Sequence, residues 1–351
     1  MRIGILTMIS NNYGALLQCY ALQTVLQSLG HEVIVVNRKW GKLNVSLSIF
    51  EKLKCIKNKI QYILKNDPYE NFRLRKLMLS KAILTYEDLK KYSSSFDVVI
   101  VGSDQVWNDG CHKVMNFDFY LDWVDYPKVK RFSYAASFGK DTFEATDNDV
   151  AIIKELLHSF SGISVRENSG LNICTKQFGV KARCDLDPTL LLQASDYIKI
   201  MSDYVQCNNK FICCYFLDPN VDKLELVSEL SAKLGVGYKD NMPLRKRYNV
   251  EEWLSNIYNS NYVITDSFHG MVFSIIFRKQ FLCLNNNKRG SARFFNLLNK
   301  LNLLDRLINI GDDLSESFEI LSHIINYDEV ESKLNAYRRL SLDYLKSIDN
   351  N

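Results

Sequence analysis

The chain has 351 residues, 44 Lys+Arg against 40 Asp+Glu for a formal net charge of +4, with 47% hydrophobic and 24% charged residues. These values match globular averages of ~45–50% apolar and ~25% charged, which excludes disorder or a fibrous repeat for the whole chain, and so small a net charge does not mark a dedicated nucleic-acid binder. The length suits two domains at ~100–200 residues each, and the nine cysteines include no C-x-x-C pair, which argues against a zinc ribbon or thioredoxin-like site.

The start, MRIGILTMISNNYG, has no long apolar stretch, so no signal peptide is expected. No apolar run reaches the ~18 residues needed to span a bilayer. The expectation is a soluble, reduced, cytoplasmic α/β protein. Ile3 to Thr7 reads as a strand, residues 10–14 as a polar turn, and Ala15, Cys19, Leu22, Leu26 and Leu29 as one face of a helix that stops near Gly30. Val33 to Val36 is a second strand. This βαβ start predicts a parallel sheet covered by helices. Residues 41–81 then carry ten basic residues against three acids, with Ile49, Leu53, Ile56, Ile60 and Ile63 at helical spacing. They read as two helices broken near Asp67-Pro68. Strands follow at Asp97–Gly102, Arg131–Ala136 and Ile163–Val165, and Asp187-Pro188-Thr189 closes the first half as a turn. A second unit starts near 205: a strand at Phe211–Leu217, a helix at Val221–Leu234, a strand at Tyr262–Thr265, a buried helix at Gly270–Phe277 and a strand at Phe281–Leu284. The tail, about Asp328 to Ile348, is an amphipathic helix with Leu334, Tyr337, Leu340, Tyr344 and Ile348 in a stripe.

Ligands of open α/β sheets sit beyond the carboxyl ends of the strands. Polar residues immediately after strands are therefore the candidates. The 10–14 turn opens a helix, whose exposed N–H groups suit an anion or a hydroxyl-rich ligand, with ordinary capping by Ser10 or Asn12 as the alternative. Asp104, after VVIVG, can take a proton from an attacking hydroxyl, or serve as a cap. Arg166, at a strand end, suits a carboxylate or phosphate, or an ion pair with Glu167 or an aspartate. His269 follows a strand and opens an apolar helix, where a neutral imidazole can sit beside an anionic substrate. Lys288, Arg289 and Arg293 follow FLCL and can hold phosphate, or form a solvated surface run. The acids and histidines show no metal-ligand spacing, so no metal is expected.

Together ILTMISNNYGALLQCYALQ, FDVVIVGSDQVWN, SYAASFG, ISVRE, DPTLLL and VITDSFHGMVFSIIF resemble, in order and spacing, the polysaccharide pyruvyl transferase family over about residues 1–305. The resemblance implies a GT-B-like architecture of two Rossmann-like parallel-sheet domains facing a cleft. It implies residues 1–200 as the acceptor side with a basic helical insert at 41–95, residues 201–325 as the donor side, and a helix at 326–351 that crosses back. It implies transfer of pyruvate from phosphoenolpyruvate to two sugar hydroxyls of a cell-surface polysaccharide precursor, with formation of a cyclic ketal and release of phosphate, and no cofactor. Carried over by position, Arg166 is the donor-site arginine, His269 the catalytic histidine and Asp104 the acidic residue. Ser267, Lys288, Arg289 and Arg293 fall on the donor side, and Asn11, Asn12, Tyr13 and Gly14 on the acceptor side. Many members read Arg-Leu-His where this chain reads Ser267-Phe268-His269, so Lys288, Arg289 or Arg293 is expected to replace the missing cation. A lipid- or nucleotide-linked acceptor, and peripheral membrane contact through 41–81, belong to the same expectation. The alternatives are a glycosyltransferase using a sugar nucleotide on the same fold and a catalytically silent sugar-binding protein.

Overall fold

The computed structural model describes residues 1–39, 67–111, 116–201, 210–242, 248–286 and 290–350. The chain forms two compact units, Met1–Pro188 with Ser341–Asn351, and Thr189–Leu340.

The first unit is built on parallel strands β1 (Arg2–Leu6), β2 (Glu32–Val35), β3 (Val98–Val101) and β4 (Lys130–Ser133) in the order β2-β1-β3-β4. Ile3 pairs with both Val33 and Val98, and Val98 in turn with Lys130. β5 (Ser164–Val165) and β6 (Arg183–Cys184) are a parallel pair that bridges to the β4 segment at Phe132–Gly162 and Ala136–Val165. β3 is buried at every residue, as a Val/Ile run covered on both faces must be. Helix α1 (Tyr13–Ser28) connects β1 to β2, with the Asn12 side chain accepting from the Ala15 N–H at 3.2 Å, and Gly30 takes a left-handed φ of 92° just beyond its end. Of the helices expected on either side of Asp67-Pro68, the second is present as α2 (Pro68–Lys76). Its Asp67 cap accepts from the Tyr69 and Glu70 N–H groups. The first falls at 41–66, outside the described residues. α3 (Tyr86–Ser93), α4 (Asp147–His158) and α5 (Asn168–Lys176) complete this unit before Pro188.

The second unit holds β7 (Phe211–Tyr215), β8 (Gly237–Asp240), β9 (Tyr262–Thr265), β10 (Gln280–Leu284) and β11 (Leu307–Ile308), all parallel, in the order β11-β10-β9-β7-β8. Its helices are α6 (Ala194–Ile200), α7 (Val221–Leu234), α8 (Val250–Asn259), α9 (Phe268–Ile276), α10 (Ala292–Leu301) and α11 (Leu314–Ser322), and the larger part of α12 (Tyr327–Ser347). Ile212, Cys214, Ile264, Leu282 and Leu284 pack with Val227, Leu230 and Leu321 as one core.

Two boundaries move from those read in the sequence. The first unit ends at Pro188 rather than 200, because Tyr197 packs edge-on against Phe273 at 4.9 Å and so ties α6 to the second unit. The second unit continues past 325 to Leu340, where Arg338 donates to the Leu190 carbonyl at 2.6 Å. The end of α12 belongs to the first unit. There Ser341 Oγ accepts from the Leu186 N–H at 3.1 Å, Tyr344 donates to the Ser133 carbonyl at 2.9 Å, and Leu345 and Ile348 are fully buried.

Candidate active site

In the first unit, the carboxyl ends of β1, β3, β4, β5 and β6 gather a connected polar network. Gln18, buried in α1, donates to Thr7 Oγ1 at 3.0 Å, and Thr7 donates to the Ser103 carbonyl at 2.7 Å. Ser103 Oγ donates to Asp187 Oδ2 at 2.9 Å. Arg166 Nη1 donates to the same Asp187 oxygen at 2.8 Å and lies 3.4 Å from Ser103 Oγ. Asp104 Oδ1 stands 3.8 Å from Arg166 Nη2, and Glu167 Oε2 3.9 Å from Arg166 Nε. The other Glu167 oxygen accepts from Ser137 Oγ and from the Phe138 and Gly139 N–H groups, so this carboxylate also ties down the SFG turn. Burial draws the Arg166 pKa down, but the carboxylates of Asp187, Asp104 and Glu167 more than reverse this, and it stays above its ordinary value.

Exposure separates the members of the network. The Arg166 side chain is 2% exposed and those of Glu167 and Asp187 are at 0%, whereas Asp104 is at 19%. Asp104 is thus the carboxylate that reaches solvent. It does so with φ of +82°, and Ala135, after the neighbouring strand, has φ of +48°. Backbone strain of this kind in non-glycine residues costs of order 1–3 kcal/mol and gathers at functional sites.

The 10–14 turn is held by the fold itself. Tyr13 is 0% exposed and packs on Tyr69 at 5.1 Å between ring centroids, Gly14 is buried, and Asn12 is the α1 cap. Tyr13 thus sits in the core and Asn12 at the helix cap. The turn itself is clamped by Arg73 of α2, which donates to the Ile9 carbonyl at 3.0 Å and to Asn11 Oδ1. Arg166 forms the ion pair with an aspartate, Asp187, that the sequence offered beside anion binding.

In the second unit, β9 ends in Thr265-Asp266, and α9 begins two residues later. Asp266, 1% exposed, accepts from the Leu217 and Asp218 N–H groups at 2.5 and 3.2 Å and from Lys223 Nζ at 2.6 Å, and so fixes the loop after β7. Asn286, after β10, donates to Asp218 Oδ2 at 2.7 Å. Ser267 caps α9 through the Gly270 N–H at 3.4 Å, a capping role where the sequence suggested donor contact. Gly270 is required here, since a Cβ would collide with Thr265. His269 lies in the first turn of α9, 7% exposed and edge-on to Phe268 at 5.3 Å, and the Arg293 guanidinium lies over the same Phe268 ring at 5.7 Å. His269, Arg293 and the helix start are therefore grouped around one aromatic ring. Lys288 and Arg289 lie outside the described residues. Among the described residues no cluster of His, Cys, Asp or Glu is arranged to hold a metal ion.

The sequence reading missed Asp187 and Ser103 as the holders of Arg166, Lys223 as the partner of Asp266, and Arg73. The aspartate of DPTLLL was visible, but read only as part of a turn. A cleft of about 430 Å³ on the first unit, lined among others by His158, Lys181, Arg183 and Tyr344, opens at the amino ends of β5 and β6 and contains none of the candidate residues.

The family model for polysaccharide pyruvyl transferases matches residues 12–288. The chain belongs to the polysaccharide pyruvyl transferase family. That match includes the Asp104, Arg166 and His269 segments and stops short of Arg293. A search of the curated proteins finds no match. Among solved structures, the chain is similar to a UDP-GlcNAc 2-epimerase from Neisseria meningitidis bound to UDP-GlcNAc, at 14% identity over 100% of both chains with a TM-score of 0.60. It is also similar to the UDP-GlcNAc 2-epimerase from Methanocaldococcus jannaschii, at 11% identity over 97% of this chain and 99% of that one, with a TM-score of 0.57. These likenesses establish the GT-B-like α/β fold of this pyruvyl transferase family member.

Proposed function

We propose that this chain transfers the pyruvyl group of phosphoenolpyruvate to two hydroxyls of a sugar in a cell-surface polysaccharide precursor. The observation that carries the reading is the grouping of His269 and Arg293 around Phe268 at the start of α9, in a chain of this family. A helix start and a guanidinium suit the carboxylate and phosphate of the donor, and an imidazole can hold the proton the reaction needs.

The chemistry balances as follows. His269 gives a proton to the methylene carbon, which becomes the methyl group and leaves the central carbon electrophilic. A sugar hydroxyl adds there and gives its proton to Asp104. The carbon–oxygen bond to phosphate breaks, phosphate leaves with one proton, and the second hydroxyl adds to close the ketal. Of the two protons lost by the sugar, one replaces the proton spent on the methyl group and one leaves on phosphate.

On this reading the reaction is cytoplasmic, with the acceptor carried on a lipid or a nucleotide. Contact with an anionic membrane surface belongs to this reading: the basic stretch 41–81 ends, where it is described, with Leu74 and Met78 exposed beside Arg75 and Lys76. No helix among the described residues is long and apolar enough to cross a membrane. The test is phosphate release from phosphoenolpyruvate by purified protein with a panel of lipid-pyrophosphate and nucleotide-linked sugars. Release that depends on one acceptor supports the proposal, and nucleotide release from a sugar nucleotide without use of phosphoenolpyruvate points to a glycosyltransferase instead.

A further inference from the structure

We infer that Glu167 is a positioning residue for the acceptor side of the reaction: through the Ser137–Gly139 turn it fixes where the Asp104 carboxylate and the Gln105 carboxamide stand. The kinetic consequences rest on the proposed reaction, and the structural ones on the first unit alone.

Glu167 breaks a local rule. It is the N-cap of α5, a position that favours Ser, Thr, Asp or Asn, yet its side chain makes no capping bond. The carboxylate reaches across to another segment instead. One oxygen, Oε1, accepts from Ser137 Oγ at 2.9 Å, from the Phe138 N–H at 2.9 Å and from the Gly139 N–H at 3.3 Å. The turn is thereby pinned at three successive residues. The carboxylate that pins it is fully buried, so it is closed to substrate and acts only through what it holds.

The pinned turn holds the loop after β3 at several points. The Ser137 N–H donates to the Asp104 carbonyl at 3.0 Å, and the Ser137 carbonyl accepts from the Trp107 N–H at 3.1 Å. Asn108 Nδ2 donates to the Phe138 carbonyl at 3.1 Å. Gly139 has a left-handed φ of 77°, and a Cβ there would come within 2.8 Å of Gln105 Cδ and Oε1. The Gln105 carboxamide therefore lies directly against the turn, while its backbone N–H donates to Asp104 Oδ1 at 2.9 Å. A φ of +82° is uncommon for a non-glycine residue, so Asp104 depends on these bonds for its conformation. A base takes a proton only within ~2.6–3.2 Å of it, and a misplacement of ~1 Å can cost ~10²-fold in rate. The residue that sets this loop therefore sets how well a sugar hydroxyl is met.

The experiment compares wild type with Glu167→Gln, Glu167→Ala and Ser137→Ala, each checked for a cooperative melt. Phosphate release and ketal formation give kcat, the acceptor KM and the phosphate released per ketal, and mass spectrometry gives amide exchange at 104–108 and 137–139. For Glu167→Ala, positioning predicts kcat lowered by about tenfold or more and acceptor KM raised by about fivefold or more. It also predicts more than one phosphate per ketal, because water replaces the misplaced sugar hydroxyl and phosphoenolpyruvate is lost as pyruvate and phosphate. Ser137→Ala should show the same changes to a smaller degree. Glu167→Gln keeps a carbonyl oxygen for the three donors and should recover most of the loss. A purely structural role lowers the folded fraction but leaves acceptor KM and the phosphate-to-ketal ratio of Glu167→Ala at wild-type values. That result, or a Glu167→Gln variant as impaired as Glu167→Ala, would overturn the inference. Should Glu167→Ala fail to fold, Ser137→Ala decides by the same measures. If wild-type protein does not consume phosphoenolpyruvate, the proposed reaction falls and exchange decides alone: faster exchange at 104–108 as well as 137–139 in the alanine variants supports positioning, and unchanged exchange at 104–108 overturns it.

Discussion

Lys223→Met removes the countercharge of Asp266 while keeping most of the side-chain stem. Lys223 is 5% exposed and Asp266 1%, and their ion pair is 2.6 Å long. Breaking a buried pair from one side costs ~3–5 kcal/mol, because the surviving charge stays desolvated. At about 2–4 °C per kcal/mol for a unit of this size, the melting transition of the second unit should fall by roughly 6–20 °C. The carboxylate would keep its two backbone donors, Leu217 and Asp218, so the unit should still fold at low temperature. The double variant Lys223→Met/Asp266→Asn removes the stranded charge and should recover ~2 kcal/mol or more of the loss. Differential scanning calorimetry on the three proteins reads both effects. A single variant that melts within a degree or two of wild type, or a double variant no more stable than the single, would refute the reasoning that this pair holds the loop between β7 and α7.

His269→Ala should lower turnover by ~10²–10⁴-fold with the melt unchanged, as for loss of a general acid or base, and near-normal turnover would make the histidine structural. Thiol titration gives a pH prediction. Burial pushes Cys111 up to about 11, with Asp104 adding to it, and pushes Cys174 and Cys213 up to about 12, against an ordinary value of 9.0. The folded state therefore keeps protons that the unfolded chain releases, so this stabilisation is complete below pH 9 and is lost as pH rises from there through 11–12. Denaturant unfolding at pH 7, 9 and 10 should show falling stability across the upper interval, and a flat profile would contradict it. Charge reversal at Lys54, Lys57 and Lys59 should abolish binding to anionic vesicles at low salt, measured by co-sedimentation, and wild type that ignores such vesicles would restrict the basic stretch to a structural role.

How far the sequence is legible depends on the range of the interactions involved. β1, α1 and β2 follow from local periodicity and a cap, and the DSFHG segment lies at a strand end because Tyr262–Thr265 and the apolar run after it are both unambiguous. Asp187 as the partner of Arg166 is not legible, since the two residues meet only because β5 and β6, two residues each, lie side by side. Strands that short leave no periodic signal. β8, GYKD, is a polar edge strand without an apolar run. Tyr13 looks like a loop residue, but α1 is buried around most of its first turns and takes the ring into the core.

The most direct test of the central claim is the fate of phosphoenolpyruvate with wild-type protein and a sugar acceptor panel. The account predicts one phosphate released for each ketal formed, both lost in His269→Ala and in Asp104→Asn. Turnover of a sugar nucleotide with no consumption of phosphoenolpyruvate would contradict it.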